Sequence, residues 1–273
     1  MRPWCLFVLL TVLCAAALPQ QSKKKSSHHT TFKKQPLTQT CDNPSFPSPD
    51  TTPPDSVCGV SGSGGAEATQ NAAKNDFCST GDPQPITFED FKNLQTHVAD
   101  DPNINWGDKD TSTRKKGPAT DRTPLEQLGE GNLVVLRGFV LIARQEGAES
   151  VNCGKSVPDQ PAYHDIHISV VPSATETNEC NGVVVEMSPH HRPAQWTAEN
   201  VEKLATSHTP VRVTGHLFFD SSHVPCSRGQ AVRSNPKRVA LWEIHPIYKF
   251  EVCTDNCDGA GTWVPLDQWA KQQ

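Results

Sequence analysis

The chain has 273 residues, of which 35% are apolar and 20% charged, with 23 Pro, 17 Gly and a formal net charge of -5. So much Pro and Gly beside so little apolar and charged content confines the core to part of the chain. A slightly acidic total excludes nucleic-acid or anionic-membrane binding driven by bulk positive charge.

Residues 1–17 read as a secretory signal peptide. Arg2 supplies the positive start, Trp4 to Leu13 is apolar but too short to span a bilayer, and Ala15, Ala16 and Ala17 offer a cleavage site. This predicts an exported protein, periplasmic or extracellular, and no other stretch reaches transmembrane length. Cys5 and Cys14 leave with the signal, and Cys41, Cys58, Cys78, Cys153, Cys180, Cys226, Cys253 and Cys257 remain. An even count in an exported chain reads as disulfides whose pairing the spacing leaves open. Three of these cysteines precede residue 80 and five follow residue 150, so complete pairing demands at least one bridge between the two regions. Cys253 and Cys257 also have the spacing of half a zinc site, but no second close pair completes it.

Residues 18–85 read as a flexible region. It opens with a basic arm carrying Lys23, Lys24, Lys25, Lys33 and Lys34, whose functional reading is contact with an anionic surface, and continues through Pro-, Ser-, Thr- and Gly-rich sequence. Within residues 86–124, Thr87 is an N-cap for a helix with Phe88, Phe91, Leu94 and Val98 on one side, followed by a surface connection around Trp106. Residues 125–257 read as a β domain. Its runs are LVVLRGFVLIARQEG, YHDIHISVV, GVVVEMS, VRVTGHLFF and VALWEIHPIYKFEV, with a helix over WTAENVEKLATS between the third and fourth. Gly138 inside the first run marks a bulge or a sharp bend. Residues 258–273 read as a short C-terminal helix that packs Trp263, Leu266 and Trp269 inward.

Five strands with a helix between the third and fourth predict a mainly β fold, a five-stranded OB-like Greek-key barrel behind a largely disordered N-terminal region. Another small β-sandwich with one crossover helix is the competing topology. The segments DIHISVV, VVVEMS, RVTGHLFFDSSH and WEIHPIYKFEV resemble the D-x-H, I-x-E, G-x-x-F-F-D-x-x-H and E-[IL]-H-P elements of uncharacterised exported bacterial proteins with OB-like domains. The resemblance covers about residues 130–255 and implies the fold and the compartment, with no activity attached.

Strand alternation puts Asp165 with His167 on one face and Glu243 with His245 on one face, while Glu186 points away from Val185 and Met187. If these faces converge, His167, Glu186, Glu243 and His245 form a carboxylate–imidazole cluster suited to zinc or manganese, or to acid–base chemistry. Asp165, His216, Asp220 and His223 are supporting candidates. The same residues also suit a purely structural hydrogen-bond network, and H-E-x-x-H, G-x-S-x-G and phosphate-loop motifs are absent.

Two functions follow. One is an exported, disulfide-stabilised binding module for a polysaccharide or peptide, which predicts an exposed aromatic face drawn from Phe218, Phe219, Tyr248 and Phe250. The other is a metal-dependent, phosphodiesterase-like hydrolase built on the His/Glu cluster.

Overall fold

The computed structural model describes Phe32 and residues 57–107, 117–226, 232, 235–257 and 260–273. The signal peptide, the Lys-rich arm and Cys41 lie outside the described residues. Among the described residues no helix is long and apolar enough to cross a membrane.

Among the described residues the fold is mainly strand: one mixed sheet of seven strands with a few helices. It is built on β2 (Leu133–Gln145), which pairs antiparallel with β5 (Pro210–Phe219) through its first half and with β3 (Ile166–Val171) through its second. The hand-over falls at Gly138 and Phe139. A Cβ built on Gly138 would lie 2.7 Å from both Val170 Cγ1 and Val171 O, so only glycine lets the two strands close at this bend. Gly138→Ala is expected to cost about 1–3 kcal/mol through overpacking. A lower denaturation midpoint at unchanged slope would show it.

From β3 the sheet continues antiparallel to β4 (Val183–Met187), then crosses to β6 (Trp242–Asp255) by the single parallel pair Val185↔Ile244. β6 runs antiparallel to β5 from Val211↔Val252 to Phe219↔Trp242, which returns the path to β2. The ring is therefore uneven, with a thin seam between β4 and β6. Two short strands add to the five expected from sequence: β1 (Gln84–Ile86), parallel to β2, and β7 (Thr262–Pro265), antiparallel to β6.

Helices close the rest. In order they are α1 (Ala68–Lys74), α2 (Phe88–Asp100), α3 (Thr123–Leu128), α4 (Ala198–Ser207, between β4 and β5) and α5 (Leu266–Ala270). Thr87 caps α2 in a reciprocal capping box with Asp90, and the Thr197 hydroxyl accepts from Asn200 N at α4. Ile166, Ile168, Val185, Leu217, Ile244 and Phe250 belong to one apolar core with Phe91 and Leu204.

The region expected to be flexible is folded from residue 57 onward. Cys58 is bonded to Cys153, so the segment leading into α1 is tied to the β domain, and Ser63 N donates to Ser150 O at 2.7 Å. Residues Gln70 to Lys74 of α1 are buried in consequence. Cys180–Cys226 and Cys253–Cys257 are the other disulfides resolved among the described residues, and together the three fit an oxidising compartment. Trp106, placed in a surface connection by its polar neighbours, is instead 8% exposed within the core cluster.

The exposed aromatic face is not formed. Phe218, Phe219 and Phe250 are wholly buried, and Tyr248 donates its hydroxyl to Asp76 O at 2.8 Å. The physical reason is two-sided burial. Phe219 and Phe250 lie in the apolar core on one face, while Phe218 on the other face is covered by Lys74 and Arg122 over its ring and by His245 at its edge.

Candidate metal centre

β3 and β4 place His167 directly across from Glu186 in the antiparallel ladder, so their side chains share a face. The Val185↔Ile244 pair sets β6 alongside and delivers His245, and the residue before β3 is Asp165. All four are 3% exposed or less. Glu186 is the hub: its Oε2 lies 2.6 Å from His245 Nδ1, 3.3 Å from His167 Nε2 and 3.6 Å from Lys74 Nζ. His167 is further flanked by Glu146 at 3.4 Å and Glu149 at 3.7 Å.

These contacts are ion pairs by distance. Among the described residues, both oxygens of Asp165, both of Glu186 and both ring nitrogens of His167 and His245 are buried without a hydrogen-bond partner. Their donor atoms do fit a common ion. Asp165, Glu186 and His245 offer atoms all within 4.8 Å of one another, as do Glu149, Asp165 and His167. Ligand bonds of about 2.0–2.2 Å separate adjacent donors by roughly 3.3–3.5 Å in tetrahedral geometry, matched by His167 to Glu186 at 3.3 Å, whereas His245 to Glu186 at 2.6 Å would have to open on binding.

The electrostatics are those of a negative, water-poor site. Burial works against charge on His167, yet Glu186, Glu149 and Asp165 carry its pKa up to about 9. Burial would raise Glu186, but His167, Lys74 and His245 hold its carboxyl well below the usual range. Burial pushes Glu149 up to about 8 against the pull of His167 and Lys74. Burial also opposes charge on Lys74, but Glu186, Asp220, Glu149 and Asp165 outweigh it and keep the ammonium protonated. The cluster draws positive charge strongly.

Not every residue read from sequence joins this point. Glu243 is held by the Arg238 guanidinium and stands 4.0 Å from His245 Nδ1, in neither ligand group. Asp220 sits next door: Gln70 and His223 donate to it, and Lys74 and Arg238 lie 3.9 Å and 3.5 Å away. His223, 26% exposed at its side chain, faces a pocket of about 190 Å³ that Lys74, Glu149, Asp220 and Ser222 also line. His216 lies apart, with Nδ1 3.0 Å from Ser79 Oγ.

Burial, with the positive charge of His245 and Arg122 nearby, lowers His216 to about 3 from its ordinary 6.5. The neutral ring therefore contributes stability in full above pH 6.5, and that contribution drains away as pH falls towards 3. Between pH 6.5 and about pH 4 it should remove about 3 kcal/mol, and His216→Gln should show a correspondingly shallower fall in Tm. An equal fall in both proteins would place the acid sensitivity elsewhere.

Sequence reasoning missed Lys74, Glu146, Glu149 and Arg238. None lies in a recognisable motif, and the one signal for Lys74 and Glu149 was cysteine parity, which required a bridge between their two regions. Set against protein-family models, curated proteins and solved structures, the chain matches none.

Proposed function

We propose that the protein is an exported, disulfide-stabilised module with an OB-like barrel that binds a divalent metal ion, zinc or manganese, through Asp165, His167, Glu186 and His245, with Glu149 at the rim. The path β2-β3-β4-β6-β5 returning to β2, with α4 between β4 and β5, supports the OB-like reading. One observation carries the metal reading. Buried polar atoms in folded proteins are nearly all hydrogen-bonded, and here the side chains of Asp165, His167, Glu186 and His245, which carry unbonded buried atoms, also belong to the groups that could hold an ion.

Titration calorimetry of chelator-treated protein with Zn²⁺ and Mn²⁺ tests this. Wild type should bind, and Asp165→Asn should bind at least about 10-fold more weakly. Equal affinity in the two proteins would remove Asp165 from the site.

A second reading, a metal-dependent, phosphodiesterase-like hydrolase, draws on the 190 Å³ pocket beside the cluster. When bound, the ion would supply a hydroxide near neutral pH. The pocket would admit the substrate, Asp220 would orient His223 for proton transfer, and Lys74 would offset anionic charge. Hydrolysis of bis-p-nitrophenyl phosphate by metal-loaded protein, reduced about 100-fold or more in His223→Gln with metal content unchanged, is the expected result. For a polysaccharide or peptide ligand, the supporting feature is instead an open groove of about 640 Å³ lined by Ile86, Phe88, Val135, Arg137, Arg212 and Lys249. Arg212→Ala should then weaken the binding of acidic oligosaccharides or peptides.

A further inference from the structure

We infer that the centre is dinuclear, with two divalent ions bridged by the Asp165 carboxylate; this rests on the metal reading above and deepens it. The two ligand groups share Asp165 and nothing else: Glu149 and His167 complete one, Glu186 and His245 the other. A carboxylate bridges two ions only when both oxygens are free of other partners. Both oxygens of Asp165 are buried and take no hydrogen bond among the described residues, although the side chain is wholly inside the protein.

The imidazoles divide in the same way. His167 Nε2 and His245 Nδ1 lie 3.3 Å and 2.6 Å from Glu186 Oε2, and the two rings fall in different ligand groups. A single ion seated in one of the two ligand groups leaves the other group's glutamate and imidazole without a metal. Two ions about 3.5–4 Å apart, the usual spacing of paired catalytic metals, give each imidazole and each glutamate its own partner.

Charge points the same way. With the protons of Glu149 and His167 displaced by metal, Glu146, Glu149, Asp165 and Glu186 present four carboxylates and Lys74 one ammonium, a charge that two divalent ions and a bridging hydroxide neutralise. Glu243 and Asp220 do not enter this balance, because Arg238 contacts both.

The test is metal stoichiometry. Chelator-stripped protein is loaded with Mn²⁺, freed of excess by gel filtration and analysed for manganese per chain, with Glu149→Gln in parallel. Glu149 lies at the rim, its side chain 28% exposed, so its replacement leaves the core intact. The expected result is about two equivalents in wild type, with the spin-coupled electron paramagnetic resonance signal of a manganese pair, and about one uncoupled equivalent in Glu149→Gln. One equivalent in wild type overturns the bridge while leaving the single-ion reading intact, and none overturns both. Two equivalents in Glu149→Gln overturn its role as the second ion's ligand.

Discussion

Glu186→Gln is expected to abolish metal retention, lowering affinity for zinc or manganese by more than about 100-fold. Loss of an outer-sphere partner already costs 10–100-fold, and Glu186 contacts both imidazoles directly. The same change destabilises the fold by about 3–5 kcal/mol, because Lys74 then keeps its charge in a buried site with its nearest counter-ion gone. Stability and metal binding separate in the Lys74→Met, Glu186→Gln double variant. Removing the stranded cation should restore most of the stability and none of the metal. A purely structural network predicts the restored stability too, but with no metal in wild type to lose. Thermal denaturation and elemental analysis of the three proteins distinguish the cases.

The second large effect belongs to the Cys58–Cys153 bridge. It spans 95 residues of sequence, and closing a loop of that length stabilises by about 4–5 kcal/mol through the unfolded chain. Replacing both cysteines by serine should lower Tm by about 10 °C or more for a chain of this size. The loss should also be local. α1 is held against the Ser150–Asn152 turn by this bridge, by Ser63 N to Ser150 O, and by Asn75 Nδ2 to Val60 O and Val151 O. Released, it withdraws Lys74 from Glu186, and hydrogen exchange in residues 60–76 should rise before that of β2 to β6. A variant with unchanged exchange in that segment would show that the hydrogen bonds alone position α1.

How far the sequence foretold this arrangement depends on how local each feature is. The His167–Glu186 juxtaposition was legible because period-2 alternation fixes faces along β3 and β4, and strands consecutive in sequence usually pair. α2 and α4 were legible from their caps, Thr87 and Thr197, and from their spaced apolar residues. Glu149 and Lys74 were not legible, since each owes its place to a disulfide closing 95 residues and to a helix in a stretch whose Ser and Gly content resembles linker. The aromatics misled for a related reason. Phe218 and Phe219 alternate like a half-exposed strand, but Phe219 packs on Trp242, while Lys74 and Arg122 lie over Phe218. Glu243 was grouped with His245 by alternation alone, and only the fold reveals Arg238 as its partner. β1 and β7 are three and four residues long, too short for any periodicity to register.

X-ray absorption at the zinc or manganese edge of the purified, oxidised protein examines the cluster without any variant. Oxygen and nitrogen neighbours at about 2.0–2.2 Å, with the outer-shell scattering of two imidazoles, are the predicted result for a centre held by Asp165, His167, Glu186 and His245. A protein that binds neither metal, or one whose bound metal shows sulfur neighbours at about 2.3 Å, would contradict it and leave the cluster as a buried ion network.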